Sequence, residues 1–130
     1  MKEPVFLAIE EVLAFHSDQA RIYGGSPTVR DIGLLQSALA MPAASFGGRY
    51  LHKDIHEMAA AYLYHIVRDH PFVDGNKRTG AVTALTFLEV NGHPVHADPE
   101  ALLKMVMETA EGTLGKDGIA AFFRRYSKGR

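Results

Sequence analysis

Ile55, Met58, Ala59, Tyr62, Leu63, Ile66 and Val67 recur without a miss at the three- and four-residue spacing of one helical face. A second run, about Lys77 to Val90, is apolar nearly all round through Ala81, Val82, Ala84, Leu85, Phe87 and Leu88. A helix with no polar face is usually the buried centre of its domain, so this run is expected at the centre here. Pro71 disfavours helical geometry at the residue before it, so the first of these helices ends close to His70.

The flanking sequence reads the same way. A first helix is expected from about Pro4, which suits a first helical position, to Tyr23, with Phe6, Ile9, Leu13 and Ala20 on its apolar face. Gly24-Gly25-Ser26-Pro27 ends it. A second runs from about Arg30 to Ala40, with Ile32, Leu35 and Leu39 inward. Residues 41–50 read as a loop, short hairpin or flap. Two more helices are expected at about Pro99–Glu111 and Asp117–Tyr126. No segment alternates convincingly as a strand, and the chain carries no internal repeat. The fold class is therefore all-α, a compact domain of about six helices over residues 1–130, long enough to bury roughly two-thirds of its unfolded surface.

Composition excludes several functions. A net charge of −1 leaves no global basic field for nucleic acid or an anionic membrane, so any anion site is local. With no cysteine there is no disulfide, thiolate zinc site or cysteine nucleophile. No apolar run approaches the ~20 residues of a membrane span, and no signal-peptide pattern opens the chain. A soluble cytoplasmic protein is the expectation.

Chemistry is concentrated in His70-Pro71-Phe72-Val73-Asp74-Gly75-Asn76-Lys77-Arg78. The stretch lies between the two central helices. The first amides of a helix lack intrahelical partners, and its dipole is positive there, so an anion is favoured at that end. Gly75 permits close backbone approach. Lys77 and Arg78 add a point charge and a planar fork for phosphate oxygens. Asn76 can bond a phosphate or fix the loop. Asp74 suits Mg²⁺, and His70 can take a proton from a hydroxyl. Phe72 is expected to point inward and anchor the loop.

These residues resemble the signature of the Fic/Doc superfamily, filamentation induced by cAMP and death on curing. The resemblance extends to Arg21-Ile22-Tyr23-Gly24-Gly25 and to Phe87-Leu88-x-x-Asn91-Gly92. It implies a small helical fold with this loop between two central helices, and ATP with Mg²⁺ as co-substrate. Fic enzymes transfer AMP to a protein hydroxyl; their motif usually has glycine at Lys77 and a second arginine at Ala81. Doc toxins have Asn-Lys-Arg, lack that arginine, and pass the γ-phosphate of ATP to a threonine of elongation factor Tu. Lys77 and Ala81 follow Doc. Gly75 follows Fic, since the best-known Doc protein has alanine there.

The resemblance makes His70 the general base, Asp74 the Mg²⁺ ligand, and Asn76, Lys77 and Arg78 the phosphate binders. Arg68 stands where Doc carries an arginine before its histidine, which implies a nucleotide or target contact. A Phd-type antitoxin is the implied partner, because the chain lacks the Ser/Thr-x-x-x-Glu-Gly/Asn pattern of self-inhibited Fic proteins. AMP transfer is the alternative activity, and a catalytically idle binding module the alternative class.

Blander readings cover other features. Taken singly, Asp74 or Asn76 could simply cap a helix while Lys77 and Arg78 sit in solvent. His52 and His56 are four apart but lack the glutamate of His-Glu-x-x-His, and read as surface or groove histidines rather than zinc ligands. Arg124, Arg125, Lys128 and Arg130 read as a solvated basic end.

Overall fold

Asp54 begins the central helix by accepting a hydrogen bond from the Glu57 main-chain N–H at 2.8 Å. The computed structural model describes residues 3–127. Its helices are α1 (Ile9–Tyr23), α2 (Ile32–Ala40), α3 (Ile55–Asp69), α4 (Asn76–Val90), α5 (Pro99–Glu111) and α6 (Lys116–Tyr126). A 3-10 turn, Met41–Ala43, follows α2. Strands β1 (Ser45–Phe46) and β2 (Arg49–Tyr50) then pair antiparallel around Gly47-Gly48. Residues 41–50 therefore contain a short hairpin, and Phe46 beside its tip is 83% exposed. Lys128 and Arg130 of the basic end lie outside the described residues. Arg124 is paired with Asp54 at 3.0 Å and Glu57 at 3.2 Å.

All seven residues of the 55–67 pattern are buried, and so are Ala60 and Ala61. The alanines remove bulk from the other face, so α2, α4, α5 and α6 all pack against α3. The centre is thus α3 rather than α4. Lys77, Arg78, Glu89 and Val90 at the two ends of α4 face solvent, and its buried set includes Thr79, Gly80 and Thr83. At Gly80 the two helices approach so closely that a Cβ would stand 2.9 Å from Val67 Cγ2.

The first helix starts at Ile9, not near Pro4. Residues 5–8 run extended because tertiary partners claim them. Val5 exchanges bonds with the Asn91 side chain at 2.8 and 3.0 Å, and Leu7 N–H donates to the Tyr62 hydroxyl at 3.0 Å. Phe6 stacks on Phe87, and Leu7 is buried. Burial pushes the Tyr62 hydroxyl pKa up to about 12. At α2, Asp31 caps the helix, and Ile32 beside it is 50% exposed rather than inward.

His52, His56 and His65 are half-buried, and one ring nitrogen of each is buried with no partner among the described residues. Among the described residues no three or more of His, Cys, Asp and Glu are grouped so as to hold a metal ion. Burial lowers the pKa of all three. Lys116 pushes His52 and His65 further down, and His93 and Arg124 act likewise on His56. In the unfolded chain each returns to about 6.5. Below that value the unfolded chain binds protons that the fold resists, so acidification favours unfolding. Stability is expected to fall as the pH drops through about 6.5, read as a drop in the urea midpoint. Replacing the three histidines with glutamine is expected to flatten that drop.

Candidate active site

Helix α3 stops at His70, which has φ 52° and ψ 55° and is the only non-glycine with positive φ among the described residues. Pro71 bars the ordinary helical geometry there. The left-handed alternative is held from outside. Arg30 Nε donates to the His70 carbonyl at 2.7 Å, and Nη2 to the Asp69 carbonyl at 3.0 Å. The main-chain N–H groups of Arg30 and Asp31 donate to the Pro71 carbonyl, and that of Val73 to the Thr28 carbonyl. The His70 side chain is left exposed.

Beyond Pro71 the loop turns into the core. Phe72 is buried, and its ring stacks on that of His16 at 3.7 Å and 9°. His16 is buried as well, and its Nε2 lies 2.7 Å from the Asp74 carbonyl. A carbonyl only accepts, so Nε2 carries the hydrogen. The Asn76 side chain accepts from Phe72 N–H and donates to the Phe72 carbonyl, both at 3.0 Å. Gly75 has φ 81° as the N-cap of α4, a conformation suited to glycine.

This loop presents the open end of α4. Among the described residues nothing accepts from the main-chain N–H groups of Asn76, Lys77 or Arg78. Lys77 and Arg78 are exposed, and the Arg78 guanidinium lies 4.3 Å from the centre of the Tyr23 ring. Asp74 accepts from Gly75 N–H through Oδ1, while Oδ2 lies against Gly25 without a hydrogen-bond partner among the described residues. A cavity of about 450 Å³ opens here. Residues 74–78 form its polar side, and Ala81, Leu102, Leu103 and Val106 its apolar wall. Free amides, two cations and a carboxylate converge on a space of the size that small ligands occupy.

The Fic/DOC family model matches residues 6–88, from the extended segment before α1 almost to the end of α4. That span holds the whole loop and covers more than half of the chain. The chain belongs to the Fic/DOC family. It is 40% identical over 101 residues to the protein named toxin Doc of Mycolicibacterium smegmatis, covering 76% of this chain and 78% of that one. It is 34% identical over 116 residues to the protein named protein kinase doc of Escherichia phage P1, covering 89% and 90%.

Within this Fic/DOC site, His70, Asp74, Gly75, Lys77 and Arg78 follow one another along one loop and helix end; the last four line the cavity, and His70 stands outside its lining. Two of the expected residues make contacts within the protein. The Asn76 amide is engaged by Phe72, so its side chain clamps the loop, while its main-chain N–H is among the unpartnered ones at the open end of α4. Arg68 Nη1 donates to the Ala110 carbonyl at 2.9 Å, at the carboxyl end of α5, where free carbonyls and the helix dipole attract a cation. It does not line the cavity. For Mg²⁺ the donor set is a single carboxylate with one unpaired oxygen. Mg²⁺ usually takes one or two carboxylates plus substrate phosphates, so Asp74 fits an ion that arrives with a nucleotide.

Four contributors escaped sequence reasoning. His16 occupies a core position, in register with Ile9, Leu13 and Ala20, and a polar residue at such a spacing was a legible signal. Gly25 read as a helix terminator, yet a Cβ there would collide with Asp74 Oδ2. Tyr23 stood only within the stretch that extends the family resemblance, and Arg30 only as the start of the second helix.

Proposed function

We propose that this protein is a Doc-type toxin that transfers the γ-phosphate of ATP to a threonine hydroxyl of a protein target, with elongation factor Tu the first candidate. The observation that carries the reading is the joining of His70 to the free amino end of α4 by one loop whose backbone is held from both sides. The name of the phage P1 relative, protein kinase doc, supports the reaction class. The name of the mycobacterial relative, toxin Doc, supports the biological role. A Phd-type antitoxin is the proposed restraining partner. Among the described residues no helix is long and apolar enough to cross a membrane, and the proposed substrates place the reaction in the cytoplasm.

The chemistry assigns each group a task. The phosphates rest on the N–H groups of Asn76, Lys77 and Arg78, where the helix dipole and both cationic side chains favour negative charge. The apolar wall from α5 takes the nucleoside. The His70 imidazole accepts the proton as the target O–H bond breaks. The hydroxyl oxygen bonds to the γ-phosphorus, the bond from that phosphorus to the β–γ bridging oxygen breaks, and ADP leaves. Asp74 is the residue for Mg²⁺, which supplies charge neutralisation of the phosphates when bound. Most of the acceleration comes from positioning and charge stabilisation.

AMP transfer is the second reading. Gly75 favours it, because a glycine at that position is the Fic form of the motif. The test is label transfer to purified elongation factor Tu from ATP labelled at the γ- or the α-phosphate. Label from γ alone, lost in His70→Ala, supports the kinase. Label from α makes the protein an AMP transferase. No label from either, followed by none in whole-cell lysate, points to an idle binding module.

Gly25 offers an independent test of Asp74. A methyl group at φ +101° is strained and meets the carboxylate, so Gly25→Ala displaces Asp74 while leaving an exposed turn otherwise intact. Transfer is expected to fall about 100-fold, the scale of a small misplacement, with unchanged helix content by circular dichroism.

A further inference from the structure

The geometry points to Arg30 as a positioning residue for His70, an inference that rests on His70 being the base of the proposed transfer. Arg30 donates to three consecutive carbonyls around that residue. Its Nε reaches the His70 carbonyl at 2.7 Å, its Nη2 the Asp69 carbonyl at 3.0 Å, and its main-chain N–H the Pro71 carbonyl at 2.8 Å. The two side-chain bonds need a planar fork, which lysine lacks.

The His70 ring is exposed and makes no hydrogen bond among the described residues, so the direction in which it leaves the chain is set by the backbone that carries it. That backbone lies in the left-handed region, which is disfavoured for a residue with a Cβ and persists only where surroundings over-determine it. Main-chain bonds from Asp31 and Val73 hold the residues after it, and the Arg30 guanidinium is the side chain that holds His70 and Asp69 themselves. Its carbonyl targets close α3, where unpartnered oxygens and the negative dipole end favour a guanidinium. The clamp is itself anchored, because Asp31 beside it caps α2 by accepting from Leu34 N–H at 3.0 Å. Arg30 is exposed, does not line the cavity beside α4, and therefore acts through His70 rather than on the nucleotide.

The test compares Arg30→Ala and Arg30→Lys with the intact protein. The first readout is the ¹H–¹⁵N spectrum of the histidine rings in the full chain without substrate. In Arg30→Ala the His70 signals are expected to move while those of His96 do not, with thermal unfolding still cooperative. The second readout is γ-label transfer to elongation factor Tu. In Arg30→Ala kcat is expected to fall about 10- to 100-fold with little change in KM for ATP, and Arg30→Lys to recover part of it. Unmoved His70 signals with intact kcat would overturn the assignment. So would a raised KM for ATP with intact kcat, which would make Arg30 a nucleotide ligand. If the intact protein transfers no label, or His70→Ala transfers as well as the intact protein, the proposed function fails instead. The ring spectrum alone then decides whether Arg30 sets the His70 geometry.

Discussion

His70→Ala is expected to reduce label transfer by about 10²- to 10⁴-fold, the range attributed to a positioned general base, while the fold survives. The side chain is exposed and unpaired among the described residues, so its removal opens no cavity. The left-handed backbone is the complication, because alanine tolerates it less well than asparagine. His70→Asn is the matched control: it accepts that conformation and supplies no base of comparable strength. Both variants should lose transfer, and both should keep the thermal transition within a few degrees of the intact protein. Transfer at the intact rate in either would remove His70 from its assigned role.

Phe72→Ala is expected to have the largest effect on stability, about 3–5 kcal/mol by urea denaturation. The ring is 1% exposed and stacks on His16, which in turn holds the Asp74 carbonyl, while Asn76 clamps the Phe72 main chain. Removing it leaves a void between α1 and the loop and frees the segment that presents Asp74 and Gly75. Against a typical total of 5–15 kcal/mol, that is a large fraction. Transfer should fall with it, even at temperatures where the variant remains folded. The adjacent Val73 is 55% exposed, and Val73→Ala should stay within about 0.5 kcal/mol of the intact protein. Equal losses in the two variants would show that Phe72 does not anchor the loop.

The site was more legible than its supports. His70, Asp74, Lys77 and Arg78 are drawn together by adjacency in the chain, so a motif of this length announces itself. The residues that aim and brace them act across long separations: Arg30 reaches back over 40 positions to His70, and His16 over 58 to Asp74. Arg68 and Asn76 show the converse. One sits beside the motif in sequence and the other within it, yet one side chain finds the carboxyl end of α5 and the other its own loop.

The same division runs through the fold. Apolar spacing, prolines and glycines are local signals, and they placed α4, α5 and α6 to within a residue at both ends, and α3 over its apolar pattern with a stop near His70. They determined that the chain is helical and that His70 begins the junction between two helices. The start of α1 at Ile9 rests on tertiary structure, because Tyr62 and Asn91 bond Leu7 and Val5 outside the helix, together with a local bond from the Ala8 N–H to the Glu11 carboxylate. It also decided that α3 is the centre, because burial of a helix depends on how many neighbours its small residues admit. Periodicity reports what one element does to itself; which partner satisfies a guanidinium, an amide or an imidazole is settled only when distant segments meet.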